Sequence, residues 1–218
     1  MKIPSIPRGC PVTLTLIAVN IAMFAGQFAT KDLLTNLGLL YGPYVAGGQY
    51  WRILSSGFLH GSILHIGFNM YLLYMLGPQL EQGFGSLRFS LMYFGSLFGG
   101  ALAVLAFGFT EPTLGASGAV LGLAGAMFVA LWGRGVSPRQ SPVFGLVILN
   151  LALPLLVPGI SFWGHFGGVA AGAAMAGVLI WLPDKSRTPG SANSLSQGTA
   201  LVVLMAAACV VVPRFAGS

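Results

Sequence analysis

Apolar residues in this chain come in long runs, not in the alternating or three-and-four-spaced patterns of water-soluble elements. A transmembrane helix needs about 20 mostly apolar residues, and such runs fall at 11–29, 62–80, 89–109, 117–133, 142–158, 163–182 and 198–213. The pattern predicts an all-α fold, a polytopic membrane helix bundle. It has a six-helix core over 1–182, a polar linker over 183–197 and a seventh C-terminal span within 198–218. The longest interruption, 30–61, carries Tyr41, Tyr44, Tyr50, Trp51 and Arg52. Aromatic side chains of this kind suit the headgroup zone. An interfacial loop is therefore expected there, with a fully solvated loop as the alternative.

Composition turns the pattern into a class. Of 218 residues, 56% are hydrophobic and 6% charged, against about 25% charged in a soluble domain. The 32 glycines fit helices that pack closely in lipid. A formal charge of +6 is too sparse for a nucleic-acid surface, so membrane lipids, and no nucleic acid, are the expected surroundings. Lys2 and Arg8 precede the first run as they would in a signal peptide. That run has the length of a full span, and "MFAGQFAT" offers no small-x-small cleavage site, so it reads as a retained helix.

The cations set an orientation. With the N-terminus in the cytoplasm, Lys2, Arg8, Arg88, Arg134, Arg139, Lys185 and Arg187 lie inside, and Lys31, Arg52 and Arg214 lie outside. That is the positive-inside bias. It makes 183–197 a cytoplasmic linker and puts Cys10 and Cys209 on opposite sides, too far apart for a disulfide. It also makes spans two, four and six run inward. His65 and Asn69 on span two, Ser117 opening span four, and His165 near the start of span six then share one depth below the outer surface. Packing accounts for an isolated buried Ser or His, but not for a common depth.

Serine and histidine are the minimum for a nucleophile and its base. Ser117 would stand at a helix N-terminus, where free backbone N–H groups suit a developing oxyanion; a helix-capping serine is the plainer alternative. His65 and Asn69 are four apart and share a helix face, as further oxyanion donors or as hydrogen-bonded helix glue. His60 reads as a structural hydrogen-bonder bracing the loop. For Ser117 to reach His165, spans four and six must come close. Gly118 and Gly122 on one, and Gly164, Gly168 and Gly172 on the other, supply small-xxx-small faces, with Gly115 a further position of close packing. The acids Asp32, Glu81, Glu111 and Asp184 lie outside the span centres, and neither a His-Glu-x-x-His pattern nor a Cys beside a His is present. The expectation is a Ser–His dyad without carboxylate, metal or cofactor.

Trp51-Arg52, "FLHGSILHIGFNM", Glu81 with Gly85, "GASGAV" and "WGHFGG" followed by Gly172 together resemble the rhomboid family of intramembrane serine proteases, over roughly 51–180. The resemblance implies a six-helix core with an outward-opening watery cavity. It makes Ser117 the nucleophile, His165 the general base, His65 and Asn69 oxyanion residues, and Trp51-Arg52 a structural pair in the first loop. The implied activity is a serine endopeptidase cleaving transmembrane protein substrates that enter from lipid. Many members carry an aromatic residue one turn after the serine, stacked on the histidine; this chain has Leu121. Orientation of His165 must then rest on Trp163, Phe166 or helix packing. Pro154 and Pro158 weaken the outer half of span five, which suits a movable gate or a kink that serves packing alone. The connection 159–162 is a candidate cap over the site. The absence of an Arg- and Ser-rich leader points to the cytoplasmic membrane of a prokaryotic cell. Two other functions compete: an inactive rhomboid-like protein that binds or escorts membrane clients, and a transporter, for which the expected inverted repeat is not visible.

Overall fold

The computed structural model describes residues 9–181 and 192–216. Helix α1 (Pro11–Ala29) leads into three short helices, α2 (Leu33–Gly38), α3 (Gly42–Ala46) and α4 (Arg52–Ser55). Then follow α5 (Ile63–Phe84), α6 (Ser86–Phe107), α7 (Ser117–Gly133), α8 (Pro142–Ala152) and α9 (Phe162–Ala176), which continues through a π turn, Gly177–Trp181. The chain ends on α10 (Ala192–Val211) and α11 (Pro213–Ala216). Among the described residues the sole β pairing is an isolated antiparallel bridge, Leu40 to Thr113. The protein is a polytopic helical membrane bundle. Pro11–Ala29, Ser86–Phe107, Phe162–Ile180 and Asn193–Ala216 are each long and apolar enough to cross a membrane, and the α7 and α8 segments are shorter apolar helices.

Local chemistry sets the helix ends. Ser62, Ser141 and Ser161 cap α5, α8 and α9, their hydroxyls accepting from His65, Val143 and Gly164 backbone N–H groups, which a helix start leaves unpaired. The start of α1 is capped from another helix. Glu81, 2% exposed, accepts from the Val12 and Thr13 amides at 2.9 and 2.8 Å and from the Thr13 hydroxyl at 2.7 Å. It also takes the Ser86 hydroxyl at 2.7 Å. A carboxylate is therefore the N-cap of the first span, which fixes α5 antiparallel to α1. Gly85, at φ +83°, turns α5 into α6 within one residue, a backbone angle that favours glycine.

α6 lies at the centre, with α7 and α9 packed on it and on each other. A Cβ on Gly118 would meet the Gly164 carbonyl at 3.1 Å, one on Gly100 the same carbonyl at 2.8 Å, and one on Gly172 the Gly122 backbone. The small residues of spans four and six do let their backbones touch, and Ser96, Gly99 and Gly100 of span three complete the contact. Gly115 has a different use. It lies in the loop before α7 at φ +132°, where a Cβ would press on the His65 ring, so it belongs to the cleft and not to a helix face.

The 30–61 segment is built on Arg52, whose Nη1 donates to the Asn36 and Leu39 carbonyls at 2.9 Å each. Its Nε reaches Gln49 at 2.7 Å and its plane covers Tyr44 at 4.6 Å. Trp51 Nε1 donates to the Leu37 carbonyl at 2.9 Å. Leu40, Val45 and Ile53 of this segment pack against Ala101, Val104 and Leu105 of α6 and Cys209 of α10.

Two boundaries differ most from expectation. The run 142–158 is helical only to Ala152, then forms a 3-10 turn over Leu153–Leu155, because Pro154 has no N–H with which to continue. Its 11 residues span about 16 Å at 1.5 Å each, roughly half the hydrocarbon core. The last helix begins by Ala192, before the expected 198; residue 182, the expected end of span six, and residues 183–191 of the expected linker lie outside the described residues. α10 packs on α6, and beyond its far end Arg214 of α11 donates to the Tyr50 hydroxyl at 3.1 Å. Both cysteines are free and buried.

Candidate active site

The N-terminal ends of α5, α7 and α9 converge on a cavity of about 430 Å³. Ser117 is the first residue of α7, so its side chain projects from a helix start into that space. Its Oγ stands 3.0 Å from His165 Nε2, making the hydroxyl a partner of the imidazole and not a helix cap. His165 is one turn into α9, 5% exposed, on a helix start fixed by Ser161.

The orienting contact of His165 is one that the side-chain pattern did not suggest. Its Nδ1 lies 2.9 Å from the backbone carbonyl of Asn150 on α8. A carbonyl only accepts, so Nδ1 carries the proton and Nε2 turns its lone pair to Ser117. Trp163 and Phe166, offered beside helix packing as supports for the ring, pack instead with Phe107 and Phe162 at centroid distances of 4.7 and 5.9 Å. Leu121, 1% exposed, lines the cavity.

His65 sits opposite. A Cβ at Gly115 would stand 2.7 Å from His65 Nε2 and 3.6 Å from Ser117 Oγ, so these two atoms face each other across the glycine. The Gly61 amide donates to His65 Nδ1 at 3.4 Å, which leaves the ring proton on Nε2, directed at the cleft. Asn69 is 2% exposed; its amide donates to the His65 carbonyl at 2.9 Å and lines the same cavity. Thus Ser117, His165, His65 and Asn69, from three helices, meet in one cleft.

His60 braces the loop through its backbone and not through its ring: its N–H donates to Gln27 Oε1 at 3.0 Å and its carbonyl accepts from Gln27 Nε2 at 3.1 Å. The ring, 2% exposed, packs edge-on to His65 at 5.1 Å. Burial, seconded by His65, holds its pKa down at about 4, with the Phe58 carbonyl offsetting part of this. Val157, Pro158, Gly159, Ile160 and Ser161 form one cavity wall, so the 159–162 connection flanks the dyad. Leu64 and Phe68 of α5 line the same cavity as Leu153 and Val157. Leu64, at 85% exposure, and Leu155 and Leu156, at 79% and 78%, are the most exposed leucines on these two segments.

Fold and cleft together define a polytopic helical membrane protein with a mainly apolar cavity between its helices, into which Ser117, His165, His65 and Asn69 project. The Rhomboid domain profile matches residues 47–182, and the chain belongs to the rhomboid family. It is 36% identical over 160 residues to RHOMBOID-like protein 4 of Arabidopsis thaliana, covering 71% of this chain and 40% of that protein. To Rhomboid protease GluP of Bacillus subtilis it is 33% identical over 175 residues, covering 77% and 34%. To Rhomboid-like protease 1 of Toxoplasma gondii it is 32% identical over 149 residues, covering 65% and 51%. The aligned region thus spans between a third and about half the length of these relatives. A plant relative named mitochondrial matches at 33% identity, so similarity does not single out a prokaryotic membrane.

Proposed function

We propose that this protein is an intramembrane serine endopeptidase that cleaves transmembrane segments. The observation carrying the reading is the 3.0 Å approach of Ser117 Oγ to His165 Nε2, with the other ring nitrogen fixed on a carbonyl. Ser117 Oγ attacks a peptide carbonyl and forms the C–O bond while Nε2 takes the hydroxyl proton. The tetrahedral oxyanion takes as donors the Ser117 amide, His65 Nε2–H and the second Nδ2 hydrogen of Asn69, whose first is held by the His65 carbonyl. The C–N bond breaks as His165 returns the proton to the leaving amine, leaving an acyl-enzyme. Water then attacks the ester, giving its proton to Nε2, which passes it to Ser117 Oγ as the acid product departs.

A substrate helix hides its carbonyls in its own hydrogen bonds, so it must unwind locally. The exposed Leu64 of α5 and Leu155 and Leu156 just after α8 support lateral access from lipid. The distribution of basic residues supports a cytoplasmic N-terminus, with the cleft opening on the other side. Purified Ser117→Ala protein should fold, yet leave a reporter transmembrane substrate intact. Cleavage by that mutant at the wild-type rate contradicts the proposal, and points to a client-binding protein accompanied by some other protease.

A further inference from the structure

The proline that cuts span five short also creates the acceptor for His165. In an α-helix the carbonyl of residue 150 receives the N–H of residue 154. Here residue 154 is proline and has no N–H. The preceding bond is the last regular one, Leu153 N–H to the Leu149 carbonyl. Beyond it the chain closes differently, with Leu156 and Val157 both donating to the Leu153 carbonyl at 3.0 and 2.9 Å. Asn150 is 4% exposed, where an unpaired carbonyl is costly. Its partner is His165 Nδ1, at 2.9 Å. The Asn150 side chain turns back to the Leu146 carbonyl at 2.8 Å, so only the backbone oxygen addresses the imidazole.

We infer that Pro154 is a positioning residue: by withholding an N–H it frees the Asn150 carbonyl to hold His165 in the tautomer whose Nε2 is a base. The inference rests on the proposed dyad and adds to it a third, main-chain member, in the place a carboxylate takes in a triad. A carbonyl orients the ring and leaves the site without a buried charge. It also ties the imidazole to α8, so the base is set only while α8 lies against α9.

The experiment uses the full chain in detergent, labelled with 15N-histidine. Only three histidines are present, so ring nitrogen spectra assign to single residues by comparison with His60→Gln, His65→Gln and His165→Gln. The wild type should show His165 protonated on Nδ1. Pro154→Ala supplies an N–H that competes for the Asn150 carbonyl. It should mix the tautomers and lower kcat about tenfold, the equivalent of ~1.4 kcal/mol, with KM within about twofold. Lactic acid placed at position 154 by suppression has neither ring nor N–H, and should restore both tautomer and kcat. A wild-type His165 protonated on Nε2, unchanged tautomer and kcat in Pro154→Ala, or a lactic-acid variant that behaves like Pro154→Ala would each overturn the inference. The wild-type spectrum reports the His165 tautomer even where Pro154→Ala does not fold. An Nδ1–H histidine in a protein without peptidase activity would sink the proposed function and leave the positioning contact standing.

Discussion

Gly168→Ala tests the packing on which the dyad depends. A Cβ at position 168 would lie 2.9 Å from Gly118 Cα and 2.7 Å from the Gly118 carbonyl carbon, whereas carbon atoms rest at about 3.5–4.0 Å. The obstacle is backbone, which cannot swing aside like a side chain. α7 and α9 must therefore separate by ~1 Å at this level. Gly118 adjoins Ser117, and Gly168 is one turn from His165, so the gap opens beside the 3.0 Å contact. It stretches that contact toward ~4 Å, beyond hydrogen-bond range. A misplacement of about 1 Å can cost about 100-fold in rate, and overpacking of this kind costs about 1–3 kcal/mol of stability. The assay is kcat/KM on a reporter transmembrane substrate, with thermal melting of the same detergent preparation. Gly67→Ala, on α5 where nothing lies within 4 Å, is the matched control and should leave both readouts unchanged. A Gly168→Ala enzyme within twofold of wild type would refute the reasoning.

Glu81→Gln leaves one acceptor oxygen where two serve four donors, and should cost about 2 kcal/mol, measured as a lower melting temperature with unchanged kcat in the protein that stays folded. Arg52→Lys replaces a planar fork holding two carbonyls and Gln49 by a point charge; limited proteolysis should then cut within 30–61 faster than in the wild type. Burial holds His60 at about 4 against its ordinary 6.5, so the unfolded chain binds the extra proton between those values. Its contribution is complete above pH 6.5 and is lost as pH falls toward 4, on the order of 3 kcal/mol in all. Melting at pH 7 and pH 5 should diverge less in His60→Phe than in the wild type.

The apolar runs marked α1 and α7 to the residue, since both begin where polarity stops abruptly. The alternation of spans, read with the basic residues, brought His65, Asn69, Ser117 and His165 to one end of the bundle, and the glycine spacing anticipated the contact of spans four and six. Side-chain pattern carried less where the backbone does the bonding. The Asn150 carbonyl has no signature of its own; its signal is Pro154, four residues on, which first reads as a kink or a gate. Glu81 reads as an acid beyond a span end, because the α1 amides it caps are about 70 residues away. The His60 ring reads as a bracing donor, yet its main chain braces through Gln27, a residue whose amide side chain gave no hint of its partner. Span three's part in the site was hidden because Ser96, Gly99 and Gly100 bear no catalytic chemistry; their use lies in being small.

The most direct test is covalent. A fluorophosphonate probe should label the purified wild type in detergent, with the adduct mapped by mass spectrometry to the peptide containing Ser117. Ser117→Ala should abolish that adduct and His165→Ala should reduce it severely, since an alcohol without its base is a poor nucleophile. Absence of labelling in folded wild-type protein, or equal labelling of Ser117→Ala, would contradict the account.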